Sequence, residues 1–287
     1  MDSICPQIKI MKHNLVTLLG PALQVPKIIK DEDGSYKKGM FPLAVVKNDR
    51  NSGDLSKNLR QDVPVIMSKD PEIIKKIEEI QPNDLVYLKG VIVTKNVKKV
   101  SICPHCGAEK NISGMIVYIC PIFLRIVKSG LTKEEASNLL FENREISNDV
   151  LVIGHLCNNP IKYTTMNKKT IAEYQIAIDR TFRLEDDSQC DNETYNEIDE
   201  NKAIADFPWI KSYGKNAEED LKRLKRGSSI LVEGYIQARN TPRTEICDNC
   251  SSCYSWQDMA MEIVPYETEY LANYVTDEEL EKKKLVN

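Results

Sequence analysis

Apolar and polar residues follow each other in the same order twice along the chain. Apolar runs at residues 15–19 and 150–153 predict buried strands, and the strict alternation at 174–180 is typical of a half-buried strand. Apolar residues at helical spacing predict one amphipathic helix in each half. These residues are Ile73, Ile77 and Ile80, then Ala217, Leu221 and Leu224. The pattern therefore predicts a mainly β chain with two similar halves.

Further strands complete each half. Residues 207–214 predict a third strand, and residues 85–93 and 230–236 predict a fourth, with a glycine where the strand is expected to bend. A fifth strand is expected at 116–124 and at 259–264. Capping boxes at Thr132 and Thr276 predict a helix after each half. Five strands with a helix between the third and the fourth is the order of an OB-fold barrel, so the predicted fold class is all-β.

An internal repeat supports this interpretation. Gly20 corresponds to Gly154 at an offset of 134, and from residue 62 onward the offset is 144, as in Cys103 and Cys247. The change of offset places an insertion of about eleven residues in the acidic stretch at 185–200, which is expected to be a surface loop. We predict a first barrel at 1–126, a linker helix at 127–147, a second barrel at 148–266 and a C-terminal helix or tail at 267–287.

Five blocks of the second half carry a resemblance to a known family. They are NDVLVIGHL at 148–156, NPIKY at 159–163, IAIDRTF at 176–182, DFPWIKSYGKNAE at 206–218 and LKRGSSILVEGYIQAR at 224–239. In this order they resemble the bacterial and phage single-stranded DNA-binding proteins. The resemblance implies stacking aromatics at Phe182, Phe207 and Tyr213, whereas Thr241 stands at a further stacking position of the family. It also implies a homo-oligomer, here a dimer of tandem barrels.

The residue types of the second half are those that sequence-tolerant binding of a single strand requires, namely aromatic rings for bases and cations for phosphates. Alternation places Phe207, Trp209, Lys211 and Tyr213 on one face of the third strand. The other candidates are Arg180, Phe182, Arg183, Lys215, Tyr235 and Arg239. In the first half the platform is replaced by Val63, Val65, Met67 and Lys69, and the remaining phosphate candidates are Lys47, Lys69, Lys95 and Lys98.

Six of the nine cysteines form two triplets in equivalent loops between strands four and five. They are Cys103, Cys106 and Cys120, then Cys247, Cys250 and Cys253. Two thiolates three positions apart are typical of structural zinc sites, which need four ligands. Cys5 or His105 could complete the first site and Cys157 the second; alternatively, Cys103, Cys106, Cys247 and Cys250 could share one ion. A redox role for Cys-Pro-His-Cys is the competing interpretation, although that motif usually opens a helix rather than a hairpin.

Composition and charge narrow the function. Residues 1–143 carry 21 basic and 16 acidic residues, and residues 144–287 carry 18 and 27, but nine of these acids lie at 185–206. The acidic total therefore does not count against a nucleic-acid partner. Three histidines and no cluster of acids at a strand end argue against an enzyme, whether redox or nuclease. No signal core or membrane span is apparent, so a cytoplasmic location is expected, in a host cell if the gene belongs to a phage.

These observations predict a non-catalytic protein that coats and protects single-stranded DNA in replication, recombination, repair or transfer. The acidic insertion is expected to compete with DNA for the binding groove. The alternative is a zinc-containing scaffold of degenerate barrels that recruits replication proteins and binds DNA weakly or not at all.

Overall fold

A computed structural model describes residues 13–47, 60–180, 184 and 205–286 of this chain. The predicted insertion at 185–200 lies outside these residues, as do Cys5, Phe182 and Arg183. Two OB-fold barrels follow one another along the described chain. None of the described helices combines the length and the apolar character needed to cross a membrane.

The first barrel contains eight strands of this part of the chain. They are β1 (His13–Pro21), β2 (Lys27–Lys30), β3 (Tyr36–Pro42), β4 (Val45–Val46), β5 (Gln61–Asp62), β6 (Val65–Ser68), β7 (Leu85–Ile102) and β8 (Glu109–Lys128). The second barrel contains seven. They are β9 (Asn148–Leu156), β10 (Ile161–Thr164), β11 (Thr170–Asp179), β12 (Ala205–Asp206), β13 (Trp209–Tyr213), β14 (Ser229–Ile246) and β15 (Cys253–Ala272). The helices are α1 (Pro71–Glu78), α2 (Lys133–Glu142), α3 (Lys215–Arg223) and α4 (Asp277–Val286), with a short 3-10 turn at Arg144–Ile146.

The predicted helices are present, and local chemistry explains where they begin. The Asp70 carboxylate accepts hydrogen bonds from the first backbone N–H groups of α1, which buries Ile73 and Ile77. The predicted capping box at Thr132 opens α2, with the Glu135 carboxylate returning to the Thr132 N–H at 2.8 Å. Each barrel therefore keeps its helix between the third and fourth strands of the repeat.

Both barrels share one continuous sheet. Among the described residues its strand order is β10-β11-β13-β15-β14-β9-β1-β7-β8-β6-β3-β2, with β12 paired to β11. The second barrel closes because β9 pairs with both β11 and β14, and β13 runs parallel to β15. In the first barrel, a bridge between Ala22 and Leu43 makes the corresponding closure.

The barrels meet through their first strands. In the antiparallel pair β1–β9, Val16 stands opposite Val150. These two residues are equivalent in the repeat, because their numbers differ by the offset of 134 found near Gly20 and Gly154. A local twofold axis therefore passes between them and relates the two halves of the chain.

The fourth and fifth strands of each barrel form a long hairpin that leaves the central sheet at a glycine. The β7–β8 register shifts at Gly90, and the β14–β15 register shifts at Gly234. A Cβ atom at Gly90 would lie 2.6 Å from the Cys120 carbonyl oxygen, and one at Gly234 would lie 2.3 Å from that of Val264. Only glycine fits these bends, as the sequence predicted.

Candidate nucleic-acid interface and candidate metal centre

The face that the sequence predicted for DNA lies on β11, β13, β15 and β14 of the second barrel. We call it the second-barrel face and define it by one set of side chains. They are Glu173, Trp209, Lys211, Tyr213, Gln237, Arg239 and Glu262. Residues from four strands meet here because β13 lies between β11 and β15, and β15 lies next to β14.

Charged side chains alternate across this face. The Lys211 ammonium lies 2.8 Å from a Glu173 carboxylate oxygen and 3.2 Å from one of Glu262. Arg239 donates two hydrogen bonds to Glu262, at 2.8 and 3.1 Å. Lys211 is 8% exposed and Glu262 7%, so both charges sit largely out of water. The sequence predicted Lys211 and Arg239 as phosphate contacts, but in this structure both cations are paired with carboxylates that lie far away in sequence.

The pairing changes the protonation equilibria of these groups. Burial opposes the charge on Lys211, but Glu173 and Glu262 outweigh it and raise the pKa of Lys211. Burial likewise opposes ionisation of Glu262, but Arg239 and Lys211 outweigh it and lower the pKa of that carboxyl. Lys211, Arg239 and Glu262 therefore carry their full charge at neutral pH, and the row holds two basic and two acidic side chains.

Aromatic rings flank the charged row. Phe207 is 42% exposed and Tyr213 is 37% exposed, while Trp209 is half-buried. The Tyr213 hydroxyl donates to the Gln237 side-chain oxygen at 3.0 Å, which fixes the edge of its ring. Tyr235, also predicted to bind bases, is 9% exposed and packs on Tyr266 with ring centroids 5.2 Å apart. Phe207, Trp209 and Tyr213 thus keep accessible ring surface, whereas the ring of Tyr235 is largely buried.

Arg180 requires a correction. Its guanidinium is buried, and its Nε lies 2.5 Å from an Asp206 carboxylate oxygen. Arg180 is therefore not exposed for contact with a DNA strand. Asp206 in turn accepts the Thr94 backbone N–H of the first barrel at 2.7 Å. Asp62, the repeat equivalent of Asp206, accepts the Ala238 N–H of the second barrel at 2.9 Å. The two aspartates therefore join each barrel to the hairpin of the other.

The remaining predicted cations lie in different settings. Lys215 is exposed at the start of α3, and Lys98 is exposed on β7. The Lys47 ammonium lies 6.0 Å from the Tyr235 ring centroid. Lys69 and Lys95 are half-buried in the first barrel.

Sequence reasoning missed a second group of exposed residues on the β10–β11 hairpin. Tyr163 is 47% exposed, and Met166 at the tip is fully exposed. Lys162, Lys168 and Lys169 are exposed beside them. The signal was present as the NPIKY block and the following lysines, but the segment has no periodicity that would mark a face.

Four cysteines meet between the two hairpin tips. The sulfur atoms of Cys103, Cys106, Cys247 and Cys250 all lie within 4.8 Å of one another. The Sγ–Sγ distances are 3.7 Å for Cys103–Cys250 and 3.6 Å for Cys106–Cys247, so each contact joins one barrel to the other. Tetrahedral Zn²⁺ with bonds of ~2.3 Å to sulfur separates its ligands by ~3.8 Å. The geometry of the four thiols therefore fits one tetrathiolate metal centre.

The local backbone turns each cysteine pair inward. The Gly107 N–H donates to the Cys103 carbonyl at 2.9 Å, and the Ser251 N–H makes the same bond to Cys247. Gly107 and Ser251 have φ values of 73° and 57°, the left-handed conformation that such tight turns need. Hydrogen bonds from Ser252 lower the pKa of Cys250 to about 6, whereas burial raises that of Cys103 to about 11. A metal ion would bind all four as thiolates.

The sequence left open whether each hairpin has its own cysteine cluster or both contribute to one. In the structure, both hairpins contribute cysteines to one cluster. Cys120 is buried in β8 opposite Val91, and Cys253 is exposed at the start of β15. Cys157 lies in the turn after β9 with its sulfur 4.0 Å from the His155 carbonyl. These three and the exposed His105 lie outside the four-thiol group, so the geometry favours one shared site over two separate three-cysteine sites. The local twofold axis brings the two pairs together, which spacing within one hairpin does not reveal.

Contacts along the hairpins follow the same symmetry. The Ser101 hydroxyl lies 2.9 Å from the Tyr254 hydroxyl, and the Lys110 ammonium lies 3.2 Å from a Glu245 carboxylate oxygen. At the offset of 144, Ser101 corresponds to Glu245 and Lys110 to Tyr254. The four-thiol group therefore terminates a pair of hairpins that contact each other along their length.

Known proteins match part of this chain in sequence. A family model described as "Single-strand binding protein family" matches residues 147–249. Single-stranded DNA-binding protein 3 of Clostridium acetobutylicum is 30% identical over 94 residues, which are 32% of this chain and 55% of that protein. The chain thus spans about half the length of this curated relative.

Solved structures match over a longer range. The crystal structure of the wild-type single-stranded DNA binding protein from Thermus aquaticus superposes with a TM-score of 0.57 at 13% identity, covering 91% of this chain and 94% of that one. A deletion mutant of the same protein gives 0.56 at 15% identity, covering 93% and 98%. The fold shared with these structures therefore includes both barrels.

Proposed function

We propose that this chain, whose residues 147–249 match the model of the single-strand binding protein family, is a member of that family and binds and protects single-stranded DNA without strong sequence preference. The observation that carries the proposal is the second-barrel face, where Trp209 and Tyr213 flank the row of Lys211 and Arg239. The exposed Phe207 extends this surface beyond β13. Base stacking on such rings tolerates any sequence, because every base has a π-face.

The β10–β11 hairpin supports the same function. Tyr163 offers a ring for stacking, and Lys162, Lys168 and Lys169 offer exposed cations for phosphates. Since Lys211 and Arg239 are balanced by carboxylates, we assign most of the phosphate contacts to this hairpin and to Lys215. A strand crossing from the hairpin to the second-barrel face would meet cations first and aromatic rings next.

Fluorescence titration with oligo-dT tests the proposal. The chain has two tryptophans, so Trp256→Phe leaves Trp209 as the single reporter, and we expect its emission to be quenched when DNA binds. The anisotropy of a dye-labelled oligo-dT, which needs no tryptophan, measures the variants. Replacing Trp209 or Tyr213 by Ala should weaken binding about 5- to 150-fold, since stacking contributes ~1–3 kcal/mol per base. Val65→Ala, at the paired position of the first barrel, is the matched control and should leave the affinity unchanged. Unaltered affinity in Trp209→Ala and Tyr213→Ala would overturn the proposal, and no binding at low salt would favour the scaffold role.

We also propose that Cys103, Cys106, Cys247 and Cys250 hold one structural Zn²⁺. Bound zinc would supply a cross-link between two hairpin tips that have little apolar core of their own. Metal analysis of the purified chain should give one zinc per chain, and Cys103→Ser or Cys250→Ser should lower that content. Cys120→Ser and Cys253→Ser are the matched controls. Two zinc ions per chain, or loss of zinc in the control variants, would contradict a shared centre.

The cellular role that we propose follows from single-strand binding. Coating of exposed strands in the cytoplasm during replication, recombination or repair requires no catalytic step, so we assign the chain a non-catalytic part. We further propose that it works as a homo-oligomer.

A further inference from the structure

The backbone of Phe207, the exposed aromatic residue just before β13, is held by side chains of both barrels. Its N–H donates to the Thr94 hydroxyl of the first barrel at 2.8 Å. Its carbonyl accepts a hydrogen bond from the side-chain amide of Gln175, on β11, at 2.9 Å. Pro208 follows, and a residue before proline favours extended backbone. The direction in which the Phe207 ring leaves the chain is therefore fixed, although 42% of this residue is exposed.

The Thr94 hydroxyl is itself oriented by a buried carboxylate. It donates to an Asp206 carboxylate oxygen at 3.4 Å, so a lone pair of the hydroxyl oxygen remains for the Phe207 N–H. The same Asp206 oxygen accepts the Thr94 N–H, and the other oxygen pairs with the buried Arg180. Asp206 is fully buried, so Thr94 is bonded to a group that is fixed by the fold of the second barrel.

The other half of the molecule repeats the joining of the barrels but has no equivalent side chains to hold an aromatic residue. The backbone contact between Asp206 and Thr94 has its counterpart at Asp62 and Ala238. Neither Ala238 nor Pro42, however, has a side chain that can form a hydrogen bond. The Thr94 hydroxyl and the Gln175 amide are thus not needed to join the barrels, and they occur in the half that carries the ring. At the repeat offsets, Phe207 corresponds to Val63, Thr94 to Ala238 and Gln175 to Pro42.

We propose that Thr94 and Gln175 are positioning residues for DNA binding, which hold the Phe207 ring where a base stacks on it. This inference rests on the function proposed above and adds a role for the first barrel, which supplies the Thr94 hydroxyl although its own stacking positions are not aromatic. A ring that is ordered before DNA arrives loses less conformational entropy on binding, so the same stacking contact gives a higher affinity. The first barrel thus contributes to single-strand binding through the second.

Substitutions of similar size in the intact chain test the inference through the anisotropy of a dye-labelled oligo-dT. Thr94→Val removes the hydroxyl and Gln175→Met removes the amide, and each should weaken binding about 2- to 10-fold, the range for one neutral hydrogen bond. Thr94→Ser keeps the hydroxyl and should bind like the wild type. Thr244→Val, at an exposed position of β14, is the matched control and should leave the affinity unchanged.

A double-mutant cycle with Phe207→Ala separates positioning from a general structural role. If Thr94 acts through the ring, Thr94→Val should cause no further loss of affinity in the Phe207→Ala background, whereas a general disturbance of the fold would weaken both backgrounds by the same factor. Equal factors in the two backgrounds, or wild-type affinity in Thr94→Val and Gln175→Met, would overturn the inference. Gln175→Met in the same cycle provides the test if Thr94→Val does not fold.

Trp209→Ala and Tyr213→Ala in the same assay distinguish this inference from the proposed function. If these two variants bind weakly while Thr94→Val and Gln175→Met bind like the wild type, the positioning role is wrong and single-strand binding by the second-barrel face stands. If the two variants bind like the wild type, the proposed function fails, and the positioning role fails with it.

Discussion

Lys211 of the second barrel and Met67 of the first stand at equivalent positions of equivalent strands, yet they belong to different kinds of surface. Around Lys211 are Glu173 and Glu262, and around Met67 the equivalent positions hold Met40 and Tyr118. We call Met40, Val65, Met67, Val93 and Tyr118 the first-barrel face. It is apolar where the second-barrel face is a row of alternating charges.

The first-barrel face is also covered. Met67 is 6% exposed, Tyr118 is 3% exposed and Val93 is fully buried, although they lie on the outer side of a barrel. Leu184, which follows β11 of the second barrel, packs against this cluster. The repeat has therefore kept the same strands in both barrels, while the outer faces of these strands differ in chemical character. One face pairs its charges and keeps rings accessible, and the other is apolar and packs against Leu184 of the same chain.

Replacing the methionine of the first-barrel face by the lysine found at the equivalent position of the second barrel should have the largest effect on stability. Met67→Lys places an ammonium in a cluster whose described residues are all apolar and include no carboxylate, unlike Lys211 between Glu173 and Glu262. We expect the free energy of unfolding to fall by about 2–4 kcal/mol in urea denaturation. Val100→Lys, at an exposed position of β7, is the control and should change it by less than about 0.5 kcal/mol. Equal effects of the two substitutions would show that the first-barrel face is not closed.

Removing the covering side chain should have a smaller effect. Leu184→Ala deletes a half-buried aliphatic group from the first-barrel face, for which we expect a loss of about 1–2 kcal/mol in the same measurement. Leu23→Ala, at a position that is 42% exposed, is the matched control. If Leu184→Ala destabilises no more than Leu23→Ala, the contact does not hold the face closed.

Removing a carboxylate from the second-barrel face should strengthen DNA binding, in contrast to the loss of stability expected in the first barrel. Glu262→Gln leaves Lys211 and Arg239 with less compensating charge, so we expect oligo-dT affinity to rise about two- to fivefold with a steeper salt dependence. Glu142→Gln, on an exposed position of α2, controls for the change in net charge. Weaker binding in Glu262→Gln would mean that the carboxylate positions these cations for DNA rather than competing with it.

The smallest expected effect is a pH dependence of stability. Because the pKa of Glu262 is lowered in the folded chain, its ion pairs stabilise the fold above the ordinary carboxyl pKa of ~4.3. That contribution is lost as the pH falls through the lowered pKa. The difference in free energy of unfolding between wild type and Glu262→Gln, about 1 kcal/mol at neutral pH, should therefore shrink on acidification. A difference that stays constant down to acid unfolding would contradict the pairing.

Sequence patterns predicted the five main strands of each barrel, the helices and the bends at Gly90 and Gly234, because each depends on residues close together in the chain. They did not predict the short strands β2 and β10. They did not predict the partners of buried charges. Lys211 and Glu262 are 51 positions apart, and Asp206 contacts Thr94 of the other barrel. Such pairs depend on the closed barrel and on the local twofold axis, neither of which leaves a periodic signal.

The cysteines show the same limit. Spacing within one hairpin predicted Cys103 and Cys106 as a pair of ligands. It also predicted Cys120, which lies farther along the hairpin in β8. Only the crossing of two hairpins from separate barrels shows that Cys247 and Cys250 complete the group of four thiols. The repeat offset did contain that information, since it paired both cysteines with their equivalents.

The pairing of Val16 with Val150 has a consequence for how this molecule diversified. Two separate identical chains that met along this strand would repeat every substitution on both sides of their axis, so neither side could become basic while the other became acidic. Joining the halves in one polypeptide removes that obligation: each mutation occurs once. Covalent linkage thus let one half acquire an apolar, buried outer face and the other a face of charged groups and aromatic rings. The paired strands between the halves still place equivalent residues opposite each other.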